Sequence, residues 1–189
     1  MSFDRPIALA CHPSTRTDAV RAIEVRVSRP ADGALALTFG VAGDLASVRV
    51  PPPRPPRIAT GLWAHTCFEA FVAVADAPAY HEFNFAPSGE WAAFAFHAYR
   101  TGAPLADEGL SPLIAVRATR DRLVLEARVR LERLSPAHAQ APLRLGLSAV
   151  IEVRDGTRSY WALRHRAGPP DFHHAEARAL WLEPPSRQC

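Results

Sequence analysis

Residues 80–100 read YHEFNFAPSGEWAAFAFHAYR. Two aromatic-rich runs flank Pro87-Ser88-Gly89, a turn with proline early to preset φ and glycine late to supply the open conformation. The runs are therefore the two strands of a hairpin. Alternation puts Tyr80, Glu82 and Asn84 on one face of the first strand and His81, Phe83 and Phe85 on the other. The return strand separates Trp91, Ala93, Ala95, His97 and Tyr99 from Ala92, Phe94, Phe96 and Ala98. One face of each strand reads as apolar core. The other mixes rings with hydrogen-bonding groups, as a sugar site requires: a flat ring meets the CH face of a pyranose and planar polar side chains meet its hydroxyls. Aromatic residues also populate strands for packing alone. The hairpin by itself leaves core and ligand platform both open.

The same period-two alternation runs outward in both directions. Ala22–Arg29 (AIEVRVSR), ALALTFGV after the Asp32-Gly33 turn, and LASVRV after Gly43-Asp44 read as a three-stranded meander. Val50–Arg57 (VPPPRPPR) is too rich in proline to join a sheet ladder and reads as an extended connector. Leu62–Ala75 (LWAHTCFEAFVAVA) is apolar on both faces, which suits a central strand covered on two sides. PLIAVRA follows as a strand. In RLVLEARVRL, Leu123, Leu125, Ala127, Val129 and Leu131 face inward. LERLSPAHAQAP holds one helical turn. LRLGLSAVIEVRDG ends in Asp155-Gly156, a hairpin signal, and TRSYWALRH returns. RAGPPDFHHAEA is a loop and RALWLE closes the domain. The sum is an all-β, jelly-roll or immunoglobulin-like β-sandwich of about ten antiparallel strands with little helix. Residues 1–189 fit a single domain.

Composition narrows the function classes. A formal charge of +3 is too mild to indicate nucleic acid. The arginines Arg117, Arg120, Arg122, Arg128, Arg130 and Arg133 interleave with Asp121, Glu126 and Glu132, as on a solvated outer face. No apolar run approaches the ~18 residues of a membrane span. Asp4 and Pro6 leave too short an apolar run before Leu9-Ala10-Cys11 for an export signal. The expected setting is cytoplasmic, with Cys11, Cys67 and Cys189 as reduced thiols rather than a disulfide framework.

Catalytic patterns are sparse. His65, Cys67 and Glu69 recur two apart, so one strand face could carry a metal or an activated thiolate. The second cysteine element of the zinc deaminases is missing, and a half-buried cysteine packing as a small hydrophobe is the simpler account. Asp171, His173 and His174 share a loop, where Asp171 capping backbone N–H groups is favoured over metal ligation. No G-x-S-x-G, phosphate-binding glycine loop or HExxH occurs.

LWAHTCFEAFV, YHEFNFAPSGEWAAFAFHAYR, AVIEVRDGTRSYWALRH and PDFHH together resemble the bacterial DOMON-like proteins, distant relatives of the family 9 carbohydrate-binding modules. The resemblance spans the chain from CHPSTRTDAVRAIEVRV onward. It implies a jelly-roll-like sandwich that binds sugars or haem and performs no chemistry itself. The haem-binding relatives use Met with His or Lys as axial ligands. Here the sole methionine is Met1 and lysine is absent, so haem is disfavoured and no cofactor or metal is expected. The expected partner is a small molecule, with a sugar or sugar derivative preferred, and neither nucleic acid nor a membrane. Trp63, Glu82, Asn84, Trp91 and Trp161 are the expected stacking and hydroxyl-binding residues. Asp171 and His173 are placed at the rim, and Arg100 is placed to hold a carboxylate or phosphate.

Overall fold

In the computed structural model, which describes residues 5–185, the alternating segments form twelve strands in two packed sheets. They are β1 (Ile7–Cys11), β2 (Val20–Ser28), β3 (Leu35–Gly43), β4 (Cys67–Val74), β5 (Tyr80–Phe85) and β6 (Trp91–Ala98), then β7 (Thr101–Pro104), β8 (Leu113–Ala118), β9 (Arg122–Val129), β10 (Leu143–Glu152), β11 (Arg158–Ala162) and β12 (Leu180–Leu182). One short helix, α1 (Pro136–Gln140), sits between β9 and β10 with Ser135 as its N-cap. Pairing is antiparallel throughout the named strands. The first sheet runs β1-β2-β3-β9-β8 and the second β7-β6-β5-β4-β10-β11-β1. Strand β1 joins them: Ile7–Leu9 pair with β2, and Ala10 and Cys11 pair with β11. Strand β12 pairs with Leu143–Leu145 of β10, beside β11.

The inner faces meet in one apolar core. Val25, Leu37, Phe39, Leu125 and Val129 come from the first sheet; Phe68, Phe83, Phe85, Trp91, Leu147 and Trp161 come from the second. Phe39 and Phe68 touch across the interface with centroids 5.1 Å apart. The alternation expected of Arg122–Val129 holds: Leu123, Leu125, Ala127 and Val129 are buried.

Three details differ from the sequence expectation. LASVRV forms no third meander strand and pairs only through Val48 with Val153. The neighbour of β3 is instead the distant β9, a pairing of large sequence separation that local turn signals cannot reveal. Leu62–Ala64 is a 3-10 turn, and the strand begins only at Cys67. The chain runs on past the hairpin into β7, which returns along β6.

The proline-rich connector is extended, and its non-proline groups still hydrogen-bond. Arg54 N donates to Ser88 O at 2.7 Å, Trp91 N to Arg57 O at 3.1 Å and Ala59 N to Trp91 O at 2.9 Å. Arg57 also binds the Glu90 carboxylate at 2.7 Å, and Ser88 Oγ donates to the same group at 2.9 Å. The connector is thereby fastened to the turn end of the β5–β6 hairpin.

Trp91 is only 1% exposed and lies in the middle of this core. Trp91→Ala would leave a large cavity and is expected to cost ~3–5 kcal/mol, read as a lower urea midpoint with an unchanged denaturant slope. A loss under ~1 kcal/mol would contradict the core placement.

Candidate functional site

The second sheet has an outer face as well, and that face is covered too. Phe71, Ala73, Tyr80, Val150, Ala162 and Phe172 form a second buried cluster, with Phe96 and Tyr160 against it. Over it lies a cleft of about 430 Å³, within the usual size of a small-molecule site. Its walls are aromatic. Phe94 and Phe96 come from β6, Phe71 from β4, Tyr160 from β11 and Phe172 from the loop after β11. Trp63 stands at the mouth, 48% exposed, with its ring edge-on to Phe94 at 5.9 Å.

Hairpin register decides which side chains reach the cleft. Tyr80 pairs with Phe96, Glu82 with Phe94 and Asn84 with Ala92, whereas Phe83 pairs with Ala93 and Phe85 with Trp91. Glu82 therefore shares its face with Phe94 and Phe96. Trp91 belongs to the core face, and its expected role as a stacking ring is corrected accordingly. Trp161 is likewise in the core, its Nε1–H donated to Ser159 Oγ at 3.0 Å. Asn84 is fully buried and acts as an internal bridge. Its Nδ2 donates to Glu82 Oε1 at 2.7 Å, and its Oδ1 lies 3.5 Å from Cys67 Sγ. Of the eight expected residues, the cleft brings together Trp63, Glu82, Arg100 and His173. Asp171 stands just behind them.

Two carboxyls lie in the floor. Glu69 accepts from Ser148 Oγ at 3.1 Å, and Glu82 is oriented by Asn84. Burial holds the Glu69 carboxyl well above its ordinary range, and the nearby Glu82 charge pushes it further. Burial also raises Glu82, against the opposing pull of Asn84 and Arg100. Both groups thus favour the protonated form more than an exposed glutamate does, and the pair can donate as well as accept hydrogen bonds.

The loop carrying Phe172 and His173 is pinned by Asp171. Arg100 Nη2 binds Asp171 Oδ1 at 2.9 Å, Tyr99 OH donates to Oδ2 at 2.6 Å, and His173 N donates to Oδ1 at 3.1 Å. Tyr80 OH accepts the Arg100 N–H at 3.2 Å and donates its own proton to His173 Nδ1 at 2.9 Å. That assignment leaves the imidazole proton on Nε2, facing Glu82 Oε2 across 3.6 Å. Burial and the cationic Arg100 and Arg178 lower the His173 pKa to about 4. The ring is therefore neutral near pH 7, and its contact with Glu82 is not an ion pair.

His65 and Cys67 do not form a reactive row. His65 lies ahead of β4 and binds Glu152 Oε2 at 2.8 Å. Cys67 is fully buried, and burial with the Glu69 and Glu82 charges pushes its thiol well up, the opposite of activation. No group of three or more His, Cys, Asp and Glu side chains among the described residues is placed to hold a metal ion. Cys189 and Met1 lie outside the described residues.

Phe71, Phe94, Phe96, Tyr160, Phe172 and Arg158 were not singled out from the sequence. Counting outward from the turn would have paired Glu82 with Phe94 and Tyr80 with Phe96; nothing local announces the others, which arrive from β4, β11 and the loop after β11.

No protein-family model and no curated protein matches the chain. Solved structures do share its fold. A Bacteroides uniformis protein proposed to bind carbohydrate aligns at a TM-score of 0.62 and 13% identity, over 91% of this chain and 82% of that one. A family 9 carbohydrate-binding module from Caldicellulosiruptor kristjanssonii, solved with cellotriose, aligns at 0.55 and 11%, over 87% and 74%. The likeness is one of fold, a two-sheet antiparallel β-sandwich.

A carboxyl with a raised folded-state pKa stabilises the protein at low pH, and this advantage fades as pH rises from the unfolded value through the folded one. Glu69→Gln cannot ionise. It should therefore gain stability over the wild type in urea unfolding as pH is raised from about 5 to about 8. A difference independent of pH would show that Glu69 titrates as an ordinary glutamate.

Proposed function

We propose that this chain is a non-catalytic, DOMON-like binding module whose ligand is a carbohydrate or sugar derivative. The observation that carries this reading is the cleft: aromatic walls, an exposed Trp63 at the mouth, and two oriented carboxyls on the floor. Sugars combine apolar CH faces with dense hydroxyls, and few ligand classes use rings and buried carboxyls together in this way. The shared fold with a module solved with cellotriose supports the same class of ligand. The floor carboxyls are placed for hydroxyl recognition. Glu82 has one oxygen held by Asn84, and the rest of its hydrogen-bonding capacity is left to the cleft and to His173.

The test is calorimetric titration against a panel of neutral and acidic monosaccharides and disaccharides. Trp63→Ala should weaken the bound sugar about tenfold, the ~1.4 kcal/mol that one ring contact and its area supply together. Its unfolding midpoint should stay at the wild-type value, because the ring is half exposed. Absence of binding to every sugar of the panel at millimolar concentration would end the carbohydrate reading.

A further inference from the structure

Besides the phenol of Tyr160, five ionisable side chains line the cleft: Glu69, Glu82, Arg100, Arg158 and His173. His173 is neutral near pH 7, and Arg100 is committed to Asp171 and Tyr99. Arg158 is different. It lies on β11 directly opposite Glu152 of β10, the obvious partner, yet that carboxylate is already bound by Arg49 at 3.3 Å and His65 at 2.8 Å. Arg158 makes no ion pair among the described residues. Its Nη1 donates to Ala64 O at 3.3 Å, beside Trp63 at the mouth. A single neutral carbonyl thus orients the guanidinium, and its Nε and Nη2 donors make no hydrogen bond among the described residues.

We propose that the ligand is an acidic sugar derivative, whose carboxylate or phosphate is held by Arg158 at the mouth while its hydroxyls reach Glu69 and Glu82 on the floor. This rests on the carbohydrate reading above and specifies it. A guanidinium fork matches a carboxylate or phosphate through paired N–H donors, a geometry an ammonium does not reproduce. The floor supports the same choice, since carboxyls biased toward their protonated forms repel an anion less than two full charges would.

The experiment compares three ligand arms by calorimetry: neutral hexoses (glucose, galactose), the matching hexuronates, and the matching hexose 6-phosphates. The wild type should bind one acidic arm at least ~10-fold more tightly than its neutral parent, and the stronger arm identifies the anionic group. Raising the salt concentration should shrink that preference. In Arg158→Met the acid-to-neutral affinity ratio should collapse toward one; Arg158→Lys should restore only part of it. Arg158 is exposed, so folding of both variants is checked by an unchanged unfolding midpoint. Tighter binding of the neutral hexose by the wild type, or a ratio unaltered in Arg158→Met, overturns the acidic-ligand proposal and leaves the carbohydrate reading standing. Failure of every arm, together with the neutral panel, overturns both.

Discussion

Phe85 pairs with Trp91 across the β5–β6 hairpin, and the turn between them fixes that pairing. Ala86 N donates to Glu90 O and Gly89 N to Ala86 O, both at 2.9 Å. Gly89 takes φ of 91°, a conformation closed to most side chains. The connector bound along the turn, through Arg54, Arg57 and Trp91, adds a second constraint from outside the hairpin. A slip of one residue would turn Glu82 and Asn84 into the sandwich core and bring Phe83 and Phe85 out. The hydrophobic cost of that exchange and the geometry of the turn favour the same register. The face carrying Glu82, Phe94 and Phe96 follows from it.

A sheet covered on both sides has consequences for its central strand. In β4 the residues Phe68, Ala70 and Val72 face the sandwich core, while Cys67, Glu69 and Phe71 face the cleft side. All of them are buried, so the strand reads as a continuous apolar run interrupted by a single glutamate. Such an interruption is costly unless the carboxyl is hydrogen-bonded or neutralised. Here Ser148, directly opposite on β10, supplies the hydrogen bond, and burial raises the pKa, which lowers the cost of reaching the neutral form. The cleft is thus built on the middle of a sheet, with Trp63, Ala64, Arg100, Pro170, Phe172 and His173 brought in by turns and loops. The loop is itself fastened by one carboxylate, Asp171, to Tyr99 and Arg100 in the turn after β6 and to its own backbone.

Much of the architecture was legible in sequence because alternation reports burial directly. Leu123 through Val129 and the hairpin faces could be assigned residue by residue. What escaped detection was set by contacts between distant segments. Strand β9 displaced LASVRV beside β3, and no local pattern encodes a partner eighty residues away. The candidate site divides the same way. Trp63, Glu82, Arg100 and His173 were identifiable from residue type and position. Trp91 and Trp161 were misplaced because a tryptophan in a strand says nothing about which face is the core. Asn84 was on the expected face, but Cys67 and Glu82 occupy its polar atoms, so it orients the site from beneath. Arg158 gave no signal at all: its significance comes from the prior claim of Arg49 and His65 on Glu152.

The pairing of Glu69 with Glu82 carries the strongest argument that this surface is more than a second packing layer. Covering a sheet face needs only apolar side chains, and replacing buried ionisable groups with apolar ones commonly stabilises a protein. The neighbours of these carboxyls, Phe71, Phe96 and Val150, show that apolar packing is already available there. Burial raises the proton affinity of both glutamates, the Glu82 charge raises that of Glu69 further, and Ser148 and Asn84 orient them. None of that improves the fold. It does produce donors and acceptors held in place before any ligand arrives, at the floor of an aromatic cleft. Preorganised polar groups spare a ligand the cost of ordering them on binding, and stability given up for such positioning is expected at a binding site.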